Sequence, residues 1–184
     1  MGVAVLRTPR TAWIDAGLRA LSAGGPDAVR VESLARALGV TKGGFYWHFD
    51  DRDGLLDAML DEWERMVIDD VIDRVDSAGG DARAKLRRLF ALAAADRDLI
   101  EVELAVRDWA RRDKAAARRV RRVDNRRMAY LRSLFREICD EADEVEVRCM
   151  IVMSLFVATH FIAAEHDGRS RSEVIRLTLA RLLD

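Results

Sequence analysis

The sequence predicts an all-α fold, and two observations carry this prediction. Ala, Leu, Arg, Glu and Asp dominate the 184 residues, whereas proline occurs only as Pro9 and Pro26, a composition that favours helices. Apolar residues recur every three to four positions, and no stretch shows the alternation of a β-strand. The length suits one domain with a sizeable core, or a small domain fused to a larger one.

The first predicted helix begins at Thr8-Pro9, because Thr8 can cap a helix and Pro9 suits its first position. Gly24-Gly25-Pro26 ends this helix. Between these points, apolar residues recur at helical spacing: Trp13, Ile14, Gly17, Leu18 and Leu21.

Two short helices follow, separated by a tight turn. The first covers Val31 to Leu38, and the second covers Lys42 to His48 with Thr41 as its cap. Gly39 lies where the chain must turn sharply, a position that often needs a positive φ. A short helix, a glycine-containing turn and a second short helix are the geometry of a helix-turn-helix, which predicts DNA binding.

A longer fourth helix is capped by Asp50 or Asp51 and keeps its apolar period to Val67. The segment Ser77-Ala78-Gly79-Gly80 is the best helix break or domain boundary. Beyond it, apolar periodicity predicts helices over about 81–95, 97–111, 114–141, 144–166 and 171–183. We therefore expect three parts: a helix-turn-helix domain over 5–52, a linker helix over 53–76, and a regulatory domain over 81–184.

The residues after the glycine turn have side chains that suit a duplex. Thr41 lies at a helix start, where backbone N–H groups favour a phosphate, and Lys42 can reach a phosphate or a guanine edge. Gly43 and Gly44 each cost helix stability by about 1 kcal/mol against alanine, and we expect them to let the backbone approach the groove. The remaining donors towards the sugar-phosphate chain are Tyr46, Trp47, His48 and Arg52. Two phenylalanines are expected to face the core: Phe45 and Phe49.

The run LARALGVTKGGFYWHFDDRDGLL, residues 34–56, resembles the signature of the tetracycline-repressor (TetR) family of bacterial regulators. The resemblance covers about residues 8–65. It implies an N-terminal three-helix DNA-binding domain, a linker helix and a C-terminal helical domain for ligand binding and dimerisation. It also implies DNA contacts by the residues that follow the turn: Thr41, Lys42, Gly43, Gly44, Tyr46, Trp47 and His48.

Arg52 stands where the family usually has a lysine that contacts phosphate. Arg30, which we include among the DNA-contacting residues, stands where a capping threonine is common. Gly44 stands where a side chain often touches a base. Asp50 and Asp51 place negative charge close to the phosphates.

A palindromic operator requires two recognition helices, and therefore a homodimer. The resemblance implies that the last two helices pair across subunits as a four-helix bundle; the alternative is that they form an intramolecular core. One helix carries the apolar stripe Val147, Met150, Ile151, Ser154, Leu155, Ala158 and Ile162. The other carries Val174, Ile175, Leu179 and Leu182.

The middle helices are expected to line a chamber for a small-molecule effector. Its apolar candidates are Phe90, Leu104, Trp109, Met128, Leu131, Phe135, Met153 and Phe156. Arg107 and His160 lie in apolar neighbourhoods and are candidate polar anchors. The alternatives are that Arg107 pairs with an acid such as Glu103, and that His160 is a structural histidine.

Charge is segregated along the chain. Residues 1–49 hold six basic and three acidic residues, whereas 81–136 hold seventeen basic and eight acidic. The six arginines of the densest cluster are predicted to form a solvated helix face, the alternative being a second nucleic-acid surface: Arg118, Arg119, Arg121, Arg122, Arg126 and Arg127.

Cys139 and Cys149 fit no metal spacing. They are expected to be reduced and partly buried, with a redox sensor as the alternative. The N-terminus lacks the apolar core of a signal peptide, and the most apolar stretch, Met150 to Ala164, is too short to cross a bilayer. It is predicted to be a buried helix, and the protein to be cytoplasmic with no membrane partner.

The sequence therefore favours a ligand-responsive, sequence-specific DNA-binding regulator, by family default a repressor. An alternative is a helical adaptor that keeps the motif without binding DNA. An enzyme is disfavoured, since three histidines and no phosphate loop, zinc motif or nucleophile elbow are present. No cofactor or metal is predicted.

Overall fold

The computed structural model describes residues 8–183, apart from the side chain of Ala94. This part of the chain contains helices and no strand, which confirms the all-α prediction. The α-helices are α1 (Arg10–Gly24), α2 (Val31–Ala37), α3 (Arg52–Glu64), α4 (Asp70–Ser77), α5 (Ala82–Ala95), α6 (Arg97–Ala110), α7 (Lys114–Phe135), α8 (Ala142–Ala158) and α9 (Arg171–Leu183). A 3₁₀ turn covers Pro26–Ala28, a 3₁₀ helix covers Lys42–Trp47, and a π-helical segment covers Arg65–Asp69.

Helix α1 begins one residue later than predicted, because Pro9 and not Thr8 is its N-cap. Pro9 has an extended backbone and no side-chain donor or acceptor, so the predicted threonine cap is wrong. At the other end, Gly25 has a φ of 70°, and its N–H donates to the Leu21 carbonyl at 2.8 Å. A glycine tolerates this left-handed backbone without a steric penalty, which ends the helix as predicted.

The turn after α2 has the predicted geometry. Gly39 has a φ of 68°, and the Val40 N–H reaches back to the Ala35 carbonyl at 2.9 Å. The next segment, Lys42–Trp47, is a 3₁₀ helix and not the α-helix that the sequence suggested. Gly43 and Gly44 account for this difference, because two adjacent glycines weaken the α-helical preference of so short a segment.

The long helix after the motif is continuous from Arg52 to Ser77, with the π-helical segment in its middle. Asp51 is its cap, since the Asp51 carboxylate accepts a hydrogen bond of 2.8 Å from the Gly54 N–H. Gly79 and Gly80, with φ of 65° and 95°, end it at the predicted break.

The chain forms two compact units. The first combines residues 8–70 with 97–123, and α1 contacts both α3 and α6 within it. Its largest fully buried side chains include Trp13, Leu21, Phe45, Leu55 and Trp63.

The second unit combines residues 71–96 with those from 124 onward. Its core draws on α5, α7, α8 and α9 through Leu86, Leu131, Leu134, Phe135, Val145, Cys149, Val152 and Leu183.

Two C-terminal helices are shorter than predicted. Helix α7 ends at Phe135, six residues before the predicted end, and Cys139 N–H closes the following turn on the Phe135 carbonyl at 2.9 Å. Helix α8 ends at Ala158, where the Arg171 guanidinium donates to the Thr159 carbonyl at 2.7 Å and also to the Ile162 carbonyl.

The buried helix predicted over Met150 to Ala164 is therefore wrong, and 60% of Met150 is exposed. Within the described residues, no helix is long and apolar enough to cross a membrane.

Candidate nucleic-acid interface

A cluster of aromatic side chains holds the recognition segment Lys42–Trp47 in place from its buried side. Phe45 is fully buried, lies edge-on to Trp13 with ring centroids 5.4 Å apart, and stacks on Phe49 at 5.2 Å. The prediction that Phe45 and Phe49 face the core is confirmed. Because Phe45 anchors the segment, the next two side chains project outward: 54% of Tyr46 and 70% of Trp47 is exposed.

Lys42 is exposed beside these aromatic residues and forms an ion pair with Glu32 in the first turn of α2. The carboxylate raises the pKa of Lys42, and the ammonium lowers the pKa of Glu32. Lys42 is therefore cationic at neutral pH. Sequence analysis missed Glu32, which lies ten positions before Lys42 and reaches it only because the glycine turn brings the two segments together.

His48 and Arg52 make contacts inside the protein. The Nε2–H of half-buried His48 donates to the Thr8 carbonyl at 2.9 Å. The guanidinium of Arg52 donates to the Val29 carbonyl at 2.7 Å and to the Pro26 carbonyl. The Arg52 bonds tie the start of α3 to the loop before α2, and the His48 bond ties the end of the recognition segment to the residue before Pro9. Both side chains thus position the motif in the free protein, and their predicted DNA contacts stay predictions.

Arg30 and Thr41 begin the two helical segments of the motif without capping through their side chains. Arg30 is exposed and donates from Nε to the Asp27 carbonyl at 3.1 Å. Arg30 therefore does not supply the side-chain cap that a threonine would give at this position. Thr41 is exposed and precedes Lys42 at the surface.

Two adjacent residues of α3, Trp63 and Glu64, bond to charged side chains of α6 and α7, and sequence analysis missed both of these contacts. Trp63 donates its indole N–H to Glu103 on α6 at 3.1 Å, and the same carboxylate accepts 2.7 Å from Arg107 Nε. Glu64 accepts bonds of 2.8 Å and 2.5 Å from Arg122 on α7. Only 3% of Glu103 and 8% of Glu64 is exposed.

The arginine cluster on α7 is therefore divided between roles. Arg119 contacts Glu64 and Asp61, so the predicted solvated face is wrong for this side chain. Arg127 is also largely buried, with its guanidinium 4.8 Å from the ring centroid of Phe156. Arg118 and Arg121 are exposed, as predicted.

The predicted effector-lining residues fall in both compact units. Leu104, Arg107 and Trp109 belong to the first unit. The other seven belong to the second: Phe90, Met128, Leu131, Phe135, Met153, Phe156 and His160.

Arg107 and His160, the two candidate polar anchors, do not have the surroundings expected of a ligand anchor. Arg107 pairs with Glu103, which is the alternative that the sequence left open. His160 is exposed beyond the end of α8, so its predicted placement among buried apolar residues is wrong.

Neither cysteine is in a disulfide; Cys149 is buried and Cys139 half-buried, as predicted. Burial raises the pKa of the Cys149 thiol to about 11. In the described part of the chain, no three His, Cys, Asp or Glu side chains are grouped so that they could hold a metal ion.

The part of the chain that contains the helix-turn-helix matches a known protein family. Residues 14–59 match the family model described as bacterial regulatory proteins, tetR family. No curated protein is similar to the chain in sequence.

Several solved structures share the fold. A protein from Pseudomonas aeruginosa PAO1 classed as a transcriptional regulator has a TM-score of 0.75 at 18% identity, with 95% of this chain and 88% of that chain covered. The fatty acid degradation regulator FadR from Bacillus halodurans has a TM-score of 0.68 at 19% identity, covering 95% and 94%. A TetR/AcrR-family regulator from Thermobifida fusca YX-ER1 has a TM-score of 0.65 at 16% identity, covering 95% of both chains.

The family model covers the helix-turn-helix that the buried aromatic residues anchor, and the solved structures share the all-helical fold of the chain. The part of the chain over residues 14–59 is thus similar to the N-terminal domain of TetR-family regulators.

Proposed function

We propose that this regulator binds a palindromic operator as a homodimer and that a small-molecule effector releases it, so that it acts as a repressor. The outward face of the recognition segment is the observation that carries this proposal. Lys42, Tyr46 and Trp47 are exposed together on a segment that buried Phe45 holds in place. A cation and two aromatic side chains with hydrogen-bond donors suit phosphates and base edges.

An exposed apolar face supports the homodimer. Val147, Met150 and Ile151 follow one side of α8 at helical spacing, and all three are exposed although apolar. Leu177 on α9 is also exposed. Contiguous apolar surface of this kind marks an interaction site, and a second copy would place two recognition segments about 34–36 Å apart, one turn of the duplex.

Effector release would act through the long helix. Trp63 and Glu64 on α3 bond to Glu103 on α6 and to Arg122 on α7, respectively. An effector that favours a different arrangement of α6 or α7 would shift the population of positions of the helix from Arg52 to about Arg74. The two recognition segments of the dimer would then no longer match successive major grooves.

A helical adaptor without DNA binding is the second candidate. It is favoured by the internal engagement of Lys42 with Glu32 and of Arg52 with backbone carbonyls. Asp50 and Asp51 add negative charge beside the motif.

Selection of duplexes from a random library by the purified full chain separates the two candidates. A repressor enriches a palindrome, and its affinity falls about 10³- to 10⁵-fold between 50 and 200 mM salt if it makes 6–10 phosphate contacts. The double variant Lys42→Ala/Tyr46→Ala should lose this binding, whereas Lys114→Ala, which removes an exposed lysine of α7, should keep it. No enrichment would favour the adaptor, whereas enrichment with unchanged binding by the double variant would refute the assignment of DNA contacts to Lys42 and Tyr46.

A further inference from the structure

The ion pair between Lys42 and Glu32 lies at the surface of the helix-turn-helix. The Lys42 side chain is 49% exposed and the Glu32 side chain 62%. Glu32 is the main cause of the raised pKa of Lys42, and nearby Tyr46 adds to it. The carboxylate, the ammonium and the exposed Tyr46 ring therefore lie side by side on the surface that is proposed to meet the duplex.

The fold gains little from the Glu32 carboxylate. Helix α2 packs into the protein through its other side, where Val31, Leu34 and Ala35 are buried. Exposed ion pairs contribute little to the free energy of unfolding. Towards a duplex, in contrast, this carboxylate is unfavourable, because it repels phosphates and neutralises a lysine that would otherwise bind them.

One feature of a duplex can nevertheless bond to a carboxylate, namely the exocyclic amino group of a base. In the major groove, a G·C pair places the cytosine N4 amino group beside guanine O6 and N7, which accept hydrogen bonds from a lysine. Lys42 and Glu32 hold a donor and an acceptor side by side and so complement this edge. An A·T pair has its amino group between two acceptors, adenine N7 and thymine O4, and the same two side chains match it less well.

We propose that Glu32 is a specificity-determining residue: it weakens binding to a random duplex by neutralising Lys42, and it favours an operator with a G·C pair whose cytosine amino group bonds to its carboxylate. The proposal rests on the proposed DNA binding and adds the residue that discriminates between duplexes. Lys42 without its partner would bind any phosphate within reach, and phosphate contacts carry no sequence information.

Glu32→Gln in the full chain tests the proposal, because glutamine keeps the size of the side chain and removes its charge. Affinity for a random duplex should rise about twofold or more, and log K should fall more steeply with log salt, by about one unit of slope, since Lys42 becomes available to a phosphate. Replacing the critical G·C pair of the selected operator by A·T should weaken the parent about fivefold or more. The same replacement should weaken the variant less than about twofold.

Asp15→Asn is the matched control. It removes the same charge from an exposed residue of α1 in the same compact unit. Its salt dependence and its preference at every operator position should equal those of the parent. The denaturant midpoints of both variants should lie close to the parent value, because neither carboxylate is buried.

Three results would overturn the proposal. A Glu32→Gln protein that binds random duplex no more tightly than the parent, with the same salt slope, would show that the carboxylate does not withhold Lys42. A preference for G·C that survives in the variant, or that the parent lacks at every position, would show that Glu32 reads no base. A large drop in the denaturant midpoint would assign Glu32 to the fold. A parent that binds no duplex would instead refute the proposed function, and the parent titration identifies that case before any variant is compared.

Discussion

The indole N–H of Trp63 on α3 donates a 3.1 Å hydrogen bond to the carboxylate of Glu103 on α6, and Glu103 is almost fully buried. The same carboxylate accepts a bond from Arg107. One acidic side chain therefore satisfies two donors, and it fixes the long helix to α6 at a position immediately before the π-helical segment.

Removing the Glu103 carboxylate should lower the free energy of unfolding. Glu103→Ala leaves the Trp63 N–H and the Arg107 guanidinium without their acceptor, and breaking a buried pair in this way costs about 3–5 kcal/mol of unfolding free energy. Urea unfolding followed by circular dichroism measures the loss. Glu101→Ala, an exposed acid of the same helix, should change stability by less than about 0.5 kcal/mol. A Glu103→Ala variant as stable as this control would contradict the assigned role of Glu103.

Glu64 should contribute to the dependence of stability on pH. Burial alone would raise the pKa of its carboxyl, but hydrogen bonds from Arg122 and Arg119 outweigh burial and lower it. The contribution of the ionised group is thus present above its unfolded-state pKa of about 4.3 and is lost as pH falls through the lower folded-state value. Glu64→Gln has no such titration, so its stability should fall less steeply than that of the parent below about pH 5. Urea midpoints measured from neutral to acidic pH test this, and parallel curves would refute it.

A charge on the exposed face of α8 should break the proposed homodimer. Met150→Glu would bury a carboxylate at the subunit contact, which costs about 2 kcal/mol or more of association free energy. Analytical ultracentrifugation should then detect a monomer at concentrations where the parent is a dimer. Asn125→Glu, on the exposed surface of α7, should leave the dimer intact. A dimeric Met150→Glu protein would move the interface elsewhere.

The two thiols should react at very different rates. Burial raises the pKa of Cys149 to about 11, so almost no thiolate is present near neutral pH, and its side chain is inaccessible. Iodoacetamide at pH 8 should therefore alkylate half-buried Cys139 first and Cys149 only in denaturant, as mass spectrometry of the digested protein would show. Rapid labelling of Cys149 in the native protein would restore the redox-sensor alternative.

Local signals in the sequence predict much of the fold. The breaks at Gly25 and Gly39 follow from residues that alone tolerate left-handed backbone. Phe45 and Phe49 are recognisable as core residues because they lie four positions apart on one side of a short helix. These features depend on residues only a few positions apart, so the sequence alone is enough to predict them.

The remaining features depend on distant partners. In the sequence, Glu64 cannot be told from a solvated acid, and Glu103 is recognisable only as the candidate partner of Arg107 four positions away. The bonds of Glu103 to Trp63 and of Glu64 to Arg122 depend on how α3 packs against α6 and α7. The end of α8 was missed for a similar reason. The chain continues with apolar residues after Ala158, but Arg171 donates to the Thr159 and Ile162 carbonyls, which lie twelve and nine positions before it.

The π-helical segment Arg65–Asp69 also has a consequence for insertions and deletions in the long helix. A π-helical turn contains more residues than an α-helical turn. In an α-helix, each residue rotates the chain by about 100° about the helix axis. Loss of one residue here could be absorbed by tightening the coil, without a break in the backbone ladder. Asp70 to Ser77 would then keep nearly the same angular positions about the helix axis, so this short stretch is where the long helix tolerates a one-residue deletion at little cost in hydrogen bonds.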